Sequence, residues 1–248
     1  MTGFLSGLLP PRLRRALIRI GRIARLTLIT GLVVAAGWFA WLNFPAAYHP
    51  FKPLDIRAAP NMVTPFKLRR LHGAHGVCMA AVGASGATAR PDSIASPTPG
   101  CGMEKGLYLQ QSLIPWGGGI RLTCPAAVAL LMWERHVVVA AAQEHLGAEI
   151  TRFHHLGTYA CRNVNNAAAG RISGHASANA IDVAGFGVAD GRRIMVEDHW
   201  GADSDEGRFL AAVHRGACGV FATVLGPDYN KQHADHFHFE MASWGMCR

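Results

Sequence analysis

Two short stretches of this chain concentrate side chains able to bind or serve a metal ion. Residues 173–182 (SGHASANAID) offer His175 and Asp182, and residues 233–240 (HADHFHFE) carry His233, Asp235, His236, His238 and Glu240. A strand alternates its side chains between two faces. Over 236–241, His236, His238 and Glu240 therefore share one face, and Phe237, Phe239 and Met241 the other. The apolar face belongs on a core and the histidine face on a cleft. In a strand over 180–188, Asp182 shares its face with Ala180 and Ala184, which leave room around the carboxylate. If the two strands are neighbours, Asp182 and His238 converge, and His175 reaches the same point from the preceding loop. Two imidazoles and one carboxylate form a ligand set for a catalytic zinc ion whose fourth position is left for water. Such an ion lowers the pKa of its water to about 7 and polarises a carbonyl, which suits peptide hydrolysis. The reaction also needs a base to take the proton from water and pass one to the leaving amine. Asp235 and His236 are both candidates, and the sequence does not choose between them. His233 is a candidate supporting or substrate contact.

The elements that must position these residues can be read from pattern and punctuation. Residues 125–146 form a helix, with Thr123 as cap, Pro125 in the first turn and Gly147 past the end. Its apolar positions Val128, Leu131, Met132, Val138 and Val139 face a core. A second helix is expected over about 204–225, beginning with acidic residues and ending before Gly226-Pro227. Strands are expected over 149–155, 180–188, 193–197 and 236–241, the middle two joined through Asp190-Gly191, a hairpin signal. Residues 84–100, rich in Gly, Ser and Pro, read as a surface loop. The fold expected is α+β: a small, mainly antiparallel sheet flanked by helices, preceded by one N-terminal transmembrane helix.

That last element follows from hydropathy and charge. Residues 26–44 carry no charge over nineteen positions. As a helix they span roughly 28 Å, about the hydrocarbon thickness of a bilayer. Arginines crowd the N-terminal side, which places a basic arm (1–25) in the cytoplasm and sends the remainder across. The apolar run is long for a cleaved signal peptide and lacks a small-x-small cleavage site after it, so an uncleaved inner-membrane anchor is the favoured reading. Residues 45–64, proline-rich, read as a tether to a periplasmic domain over 65–248. The formal charge of +8 also belongs to the N-terminal part. Seven of the 24 basic residues precede the first acid, Asp55, and 17 bases against 16 acids follow. A nucleic-acid face on the folded part is therefore excluded as an expectation. The partners are instead the bilayer, through the helix, and whatever the cleft holds. All six cysteines lie beyond the apolar segment, an even count that suits three disulfides in an oxidising compartment.

The His-x6-Asp spacing in a Ser-x-His frame, followed by a late His-x-His, resembles the peptidoglycan peptidases of the D-Ala-D-Ala carboxypeptidase, penicillin-insensitive murein endopeptidase and lysostaphin group. The resemblance implies that His175, Asp182 and His238 hold zinc, and that stem peptides or cross-links of the cell wall are the substrate. It also implies that Arg162, upstream of the frame, contacts a substrate carboxylate or carbonyl, with Ser173 a further substrate contact. The run of histidines 233, 236 and 238 is most similar to the endopeptidase branch. The carboxypeptidase branch has a Glu three residues before the last ligand, where this chain has Asp235. More closely, residues 60–248 resemble the bacterial extensin-like C-terminal domain proteins, through LTCP (122–125), TYACRN (158–163), HASANAIDVAGF (175–186) and LGPDYN (225–230). One departure from the peptidase frame is Ala178, where a glycine is usual. Two other readings stay open at this stage. One is a wall-binding or scaffolding protein that holds peptides without cutting them, and the other is a structural zinc site that needs a fourth protein ligand.

Overall fold

The computed structural model describes residues 10–242 and 245–248 of the chain. The chain divides into two compact units, Met1–Pro45 and Ala46–Arg248.

In the first unit, helix α1 runs over Pro11–Asn43. It starts well before the uncharged stretch, because Pro11 pre-sets the first helical turn and the Arg/Leu/Ile sequence after it propagates well. It stops at Asn43 because Phe44 precedes Pro45 and is driven to extended backbone (φ −60°, ψ 135°). Its large apolar side chains, among them Leu28, Val33 and Phe39, are exposed. The helix is long and apolar enough to cross a membrane, as an anchor or a signal sequence would be.

The second unit is α+β. Helices α2 (Thr64–Arg70) and α3 (His75–Ala84) lead into a three-stranded antiparallel sheet of β1 (Thr88–Ile94), β2 (Met103–Gln111) and β3 (Ile120–Thr123). Helix α4 (Cys124–Leu146) follows, ending on Gly147 in the left-handed conformation. All ten residues of its first part, Cys124–Trp133, are buried, so this apolar helix is the spine of the core. A second antiparallel sheet then forms from β4 (Ile150–Gly157), β5 (Ala180–Val188), β8 (Phe237–Glu240) and β7 (Thr223–Leu225), in that order, with β6 (Arg193–Met195) also paired to β5. Trp133, Phe153, Phe186, Phe209, Phe237 and Phe239 fill the space between α4, this sheet and the helix Asp205–Ala217, and the Trp133 indole N–H donates to the Val213 carbonyl at 2.9 Å.

Several local expectations are corrected. Residues 84–100 are not all loop, because β1 occupies Thr88–Ile94. It has a single strand partner, and Pro91 is tolerated on such an edge. The helix expected to reach residue 225 ends at Ala217. Beyond it Gly219 loosens the backbone, and Thr223 and Val224, β-branched, join β7. The strand expected over 193–197 stops at Met195, and Val196–His199 turns helical. The proline-rich segment is partly built into the folded unit. Ile56 is buried, and Lys67 donates to the carbonyls of Ala46 and Pro53 at 2.6 and 3.4 Å.

All six cysteines are paired: Cys78–Cys124, Cys101–Cys161 and Cys218–Cys247. The first ties α3 to α4, the second ties the chain before β2 to the segment before Arg162, and the third ties the C-terminus to Cys218, the residue that follows the helix Asp205–Ala217.

Candidate metal centre

β5 and β8 pair antiparallel in a register that sets Asp182 opposite His238, Ala180 opposite Glu240 and Ile181 opposite Phe239. The alternation of the strands does the rest. Phe237 and Phe239 are fully buried in the core, while His238 and Glu240 face a cleft of about 240 Å³.

His175 comes from a single tight turn, Gly174–Ser177. Ser173 caps it, its hydroxyl oxygen accepting the His175 N–H at 3.3 Å. Ala178 closes it in the left-handed region (φ 52°, ψ 33°), the conformation a glycine would adopt without strain. The alanine found where glycine is usual therefore preserves the turn. The turn is pinned from three sides. Gly102 N–H donates to the Ala176 carbonyl at 2.8 Å, Thr123 N–H to Ala178 at 2.8 Å, and Ala160 N–H to His175 at 3.1 Å. Asn179 continues the clamp, taking a bond from the Thr123 hydroxyl at 2.7 Å and donating to the Met241 carbonyl.

The three side chains meet. His175 Nε2 lies 3.1 Å from Asp182 Oδ1 and 3.1 Å from His238 Nδ1, and His238 Nδ1 lies 2.9 Å from Asp182 Oδ1. All three residues are buried. Burial works against charge at His238, but the Asp182 and Glu240 carboxylates outweigh it and lift its pKa to about 9. Burial would likewise raise Asp182, but hydrogen bonds from His175 and His238 hold its carboxyl well below the usual range. The pocket thus favours positive charge at its centre.

The donor set fits a small cation. Three electron-pair donors face one another, and a proton can satisfy only one pair of them at a time. Tetrahedral zinc with bonds of 2.0–2.1 Å would hold its donors about 3.3 Å apart, a few tenths of an ångström from the separations here. Among the described residues this group contains three ligand atoms and no fourth. Glu240 Oε2 sits 3.3 Å from His238 Nε2, on the ring nitrogen that the group does not use.

Beside the group stands a dyad. His236 Nδ1 is 2.7 Å from Asp235 Oδ1, while its Nε2 lies 3.6 Å from Asp182 Oδ1. The imidazole therefore has one nitrogen toward the ligand group and the other on the carboxylate, whose side chain is half exposed (53%). His233 hydrogen-bonds Asn230 Oδ1 at 2.7 Å through Nδ1, which makes Nε2 its acceptor nitrogen. Burial and the neighbouring His238 and His236 push its pKa down to about 4, so it is neutral. Arg162 and Ser173 line the cleft, and the Arg162 carbonyl accepts the Ser173 N–H at 3.0 Å. Several cleft residues were not singled out as contacts by sequence, Arg171 and Tyr229 among them. Arg171 sits in no motif, and Tyr229, although within LGPDYN (225–230), has no spacing that ties it to the ligand group; both enter the cleft from irregular chain.

Residues 76–248 match the model of the family described as "Extensin-like protein C-terminus". The chain belongs to this family. The match covers more than half of the chain and includes His175, Asp182, Asp235, His236 and His238, so the whole cleft lies within the extensin-like domain. No curated protein and no solved structure matches the chain.

Proposed function

We propose that the extensin-like domain is a zinc-dependent peptidase that cleaves the stem peptides or cross-links of peptidoglycan. We place it in the periplasm, held by α1 as a single-pass inner-membrane anchor with its N-terminus in the cytoplasm. The observation that carries the reading is the convergence of His175, Asp182 and His238, with the His236–Asp235 dyad beside them. Support for the wall as substrate comes from the resemblance of these residues to the peptidoglycan peptidases. Support for the compartment comes from the arginines before α1 and the three disulfides after it.

His175 Nε2, Asp182 Oδ1 and His238 Nδ1 would hold the ion. Zinc bound there supplies Lewis acidity, acidifying water and polarising a carbonyl oxygen. The chain's own residues do the remainder. His236 Nε2 takes the proton as water oxygen attacks the carbonyl carbon, and returns a proton to the amine nitrogen as the C–N bond breaks. Asp235 fixes the His236 tautomer and stabilises the imidazolium that forms. Arg162 pairs with a substrate carboxylate or carbonyl, and neutral His233 with the peptide or the departing group.

The test is elemental analysis of the purified protein together with incubation on purified sacculi, reading released muropeptides by mass spectrometry. One zinc per chain with chelator-sensitive release is the expected result, and the product masses identify the bond. Bound zinc with tight sacculus binding and no release would replace this reading with a wall-binding module. Absence of any metal would overturn it.

A further inference from the structure

We propose that Glu240 is a positioning residue that fixes the His238 ring for metal binding, and that Gly174 exists to admit it. The inference rests on the zinc reading of the site and extends it to two residues outside the ligand set. A histidine can present Nδ1 as a lone pair only if its proton resides on Nε2. His238 directs Nδ1 at Asp182 and His175, and the atom facing its Nε2 is Glu240 Oε2, at 3.3 Å. A carboxylate there accepts the Nε2 proton, holds the ring plane and makes Nδ1 a stronger donor. The strand period delivers this pairing, because residues 238 and 240 share one face of β8.

Gly174 is the complementary half. A Cβ at this position would lie 2.5 Å from Glu240 Cδ and 2.6 Å from its Oε1. The backbone at Gly174 is not in the left-handed region, so the requirement for glycine is the space over the Glu240 carboxylate. The turn that carries His175 therefore closes directly over the group that orients His238, and one glycine couples the two imidazole ligands through a carboxylate that binds neither backbone. A methyl group at 174 would swing the flexible Glu240 side chain away without changing any ligand.

The experiment uses the full-length protein in detergent and measures zinc affinity by competition with a chromophoric chelator. It compares wild type with Glu240→Ala, Glu240→Gln and Gly174→Ala, each checked for three intact disulfides and an unchanged thermal transition in the metal-free form. Loss of a carboxylate behind a histidine ligand weakens metal binding by roughly 10–100-fold. Glu240→Ala is expected to do so and Gly174→Ala to follow it in direction. Glu240→Gln, which keeps an acceptor oxygen, is expected to lose less than Glu240→Ala. In the zinc-loaded protein, nitrogen NMR of the His238 ring should show Nδ1 bound and a slowly exchanging Nε2–H in wild type, and faster exchange of that proton in Glu240→Ala, where its acceptor is gone. Wild-type affinity in Glu240→Ala, with zinc bound normally by the parent, overturns this inference alone. A parent that binds no zinc overturns the proposed function and this inference together.

Discussion

Replacing His236 and Asp235 separately decides which of them moves the proton. His236 turns Nε2 toward the ligand group, 3.6 Å from Asp182 Oδ1, and keeps Nδ1 on Asp235 at 2.7 Å. The two ring nitrogens lie on opposite sides of the imidazole, so in the proposed mechanism Asp235 would act through the ring and not around it. General acid–base catalysis by one positioned group contributes typically 10²–10⁴-fold. His236→Ala should therefore lower kcat by that range, about 3–5 kcal/mol in the barrier at 1.36 kcal/mol per decade. Asp235 contributes only the stabilisation of an adjacent imidazolium. Its side chain is 53% exposed, so the interaction lies between the bulk-water figure of about 1 kcal/mol and the near-surface figure of about 4 kcal/mol for charges 4 Å apart. At roughly 1–2 kcal/mol, Asp235→Asn should cost about tenfold, because the amide oxygen can still accept from Nδ1–H. The assay is the initial rate of muropeptide release under zinc saturation, with bound zinc measured on the same preparations. A larger loss in Asp235→Asn than in His236→Ala would refute the assignment and make Asp235 the base. Loss of zinc from His236→Ala would show that this imidazole is a ligand.

Three further outcomes are expected. His175→Ala, Asp182→Ala and His238→Ala should each abolish stoichiometric zinc binding and turnover, read by elemental analysis and muropeptide release; activity in a zinc-free His238→Ala protein would refute the site. Glu134, fully buried in α4, has its pKa raised to about 7 by burial, against hydrogen bonds from the Ile114 N–H and the Ser112 hydroxyl that lower it. The folded state thus holds this proton more tightly than the unfolded chain, where the value is 4.5. The stabilisation is full below about 4.5 and lost as pH rises through about 7, amounting to about 3 kcal/mol at 1.36 kcal/mol per pH unit. Glu134→Gln should flatten the stability profile across that window in denaturant titrations, and an unchanged slope would contradict the assignment. Removing Cys101–Cys161, which closes a separation of 60 residues, by double Ser substitution should cost about 4 kcal/mol in the loop-entropy model. It should also raise KM more than it lowers kcat, because the bridge anchors the chain beside Arg162.

What the sequence made legible in the site is what local periodicity can carry. The alternation over 236–241 separates Phe237 and Phe239 from His236, His238 and Glu240, and the structure places the two groups on the core and cleft faces as that alternation requires. The small residues around Asp182 signal an open face, and the pairing of β5 with β8 supplies the contact that the alternation alone leaves conditional. The helix over Cys124–Leu146 and the Asp190-Gly191 hairpin are likewise local, each carrying its own stop signal in Gly147 and Gly191, both at positive φ. Beyond those two features, pattern fails where an element's stability comes from one neighbour elsewhere in the chain. β1 reads as loop because its composition is that of an exposed edge, and only β2 makes it a strand. The helix Asp205–Ala217 reads too long because Val220, Phe221 and Val224 continue an apolar rhythm that tertiary packing assigns to β7 and its approach.

The base proposed for the reaction is not separable from its neighbour by sequence for a related reason. Asp235 and His236 are adjacent, so spacing treats them alike, and only the orientation of one ring separates their roles. The same holds for Glu240, whose position on the His238 face is readable from the strand period but whose contact with Nε2 is not. That contact depends on Gly174, some sixty-six residues earlier in the chain, having no side chain to displace it. A ligand set can be inferred from residue types, because the chemistry restricts them to few choices. Its tuning is set by which neighbours leave room, and that is a property of the packed chain.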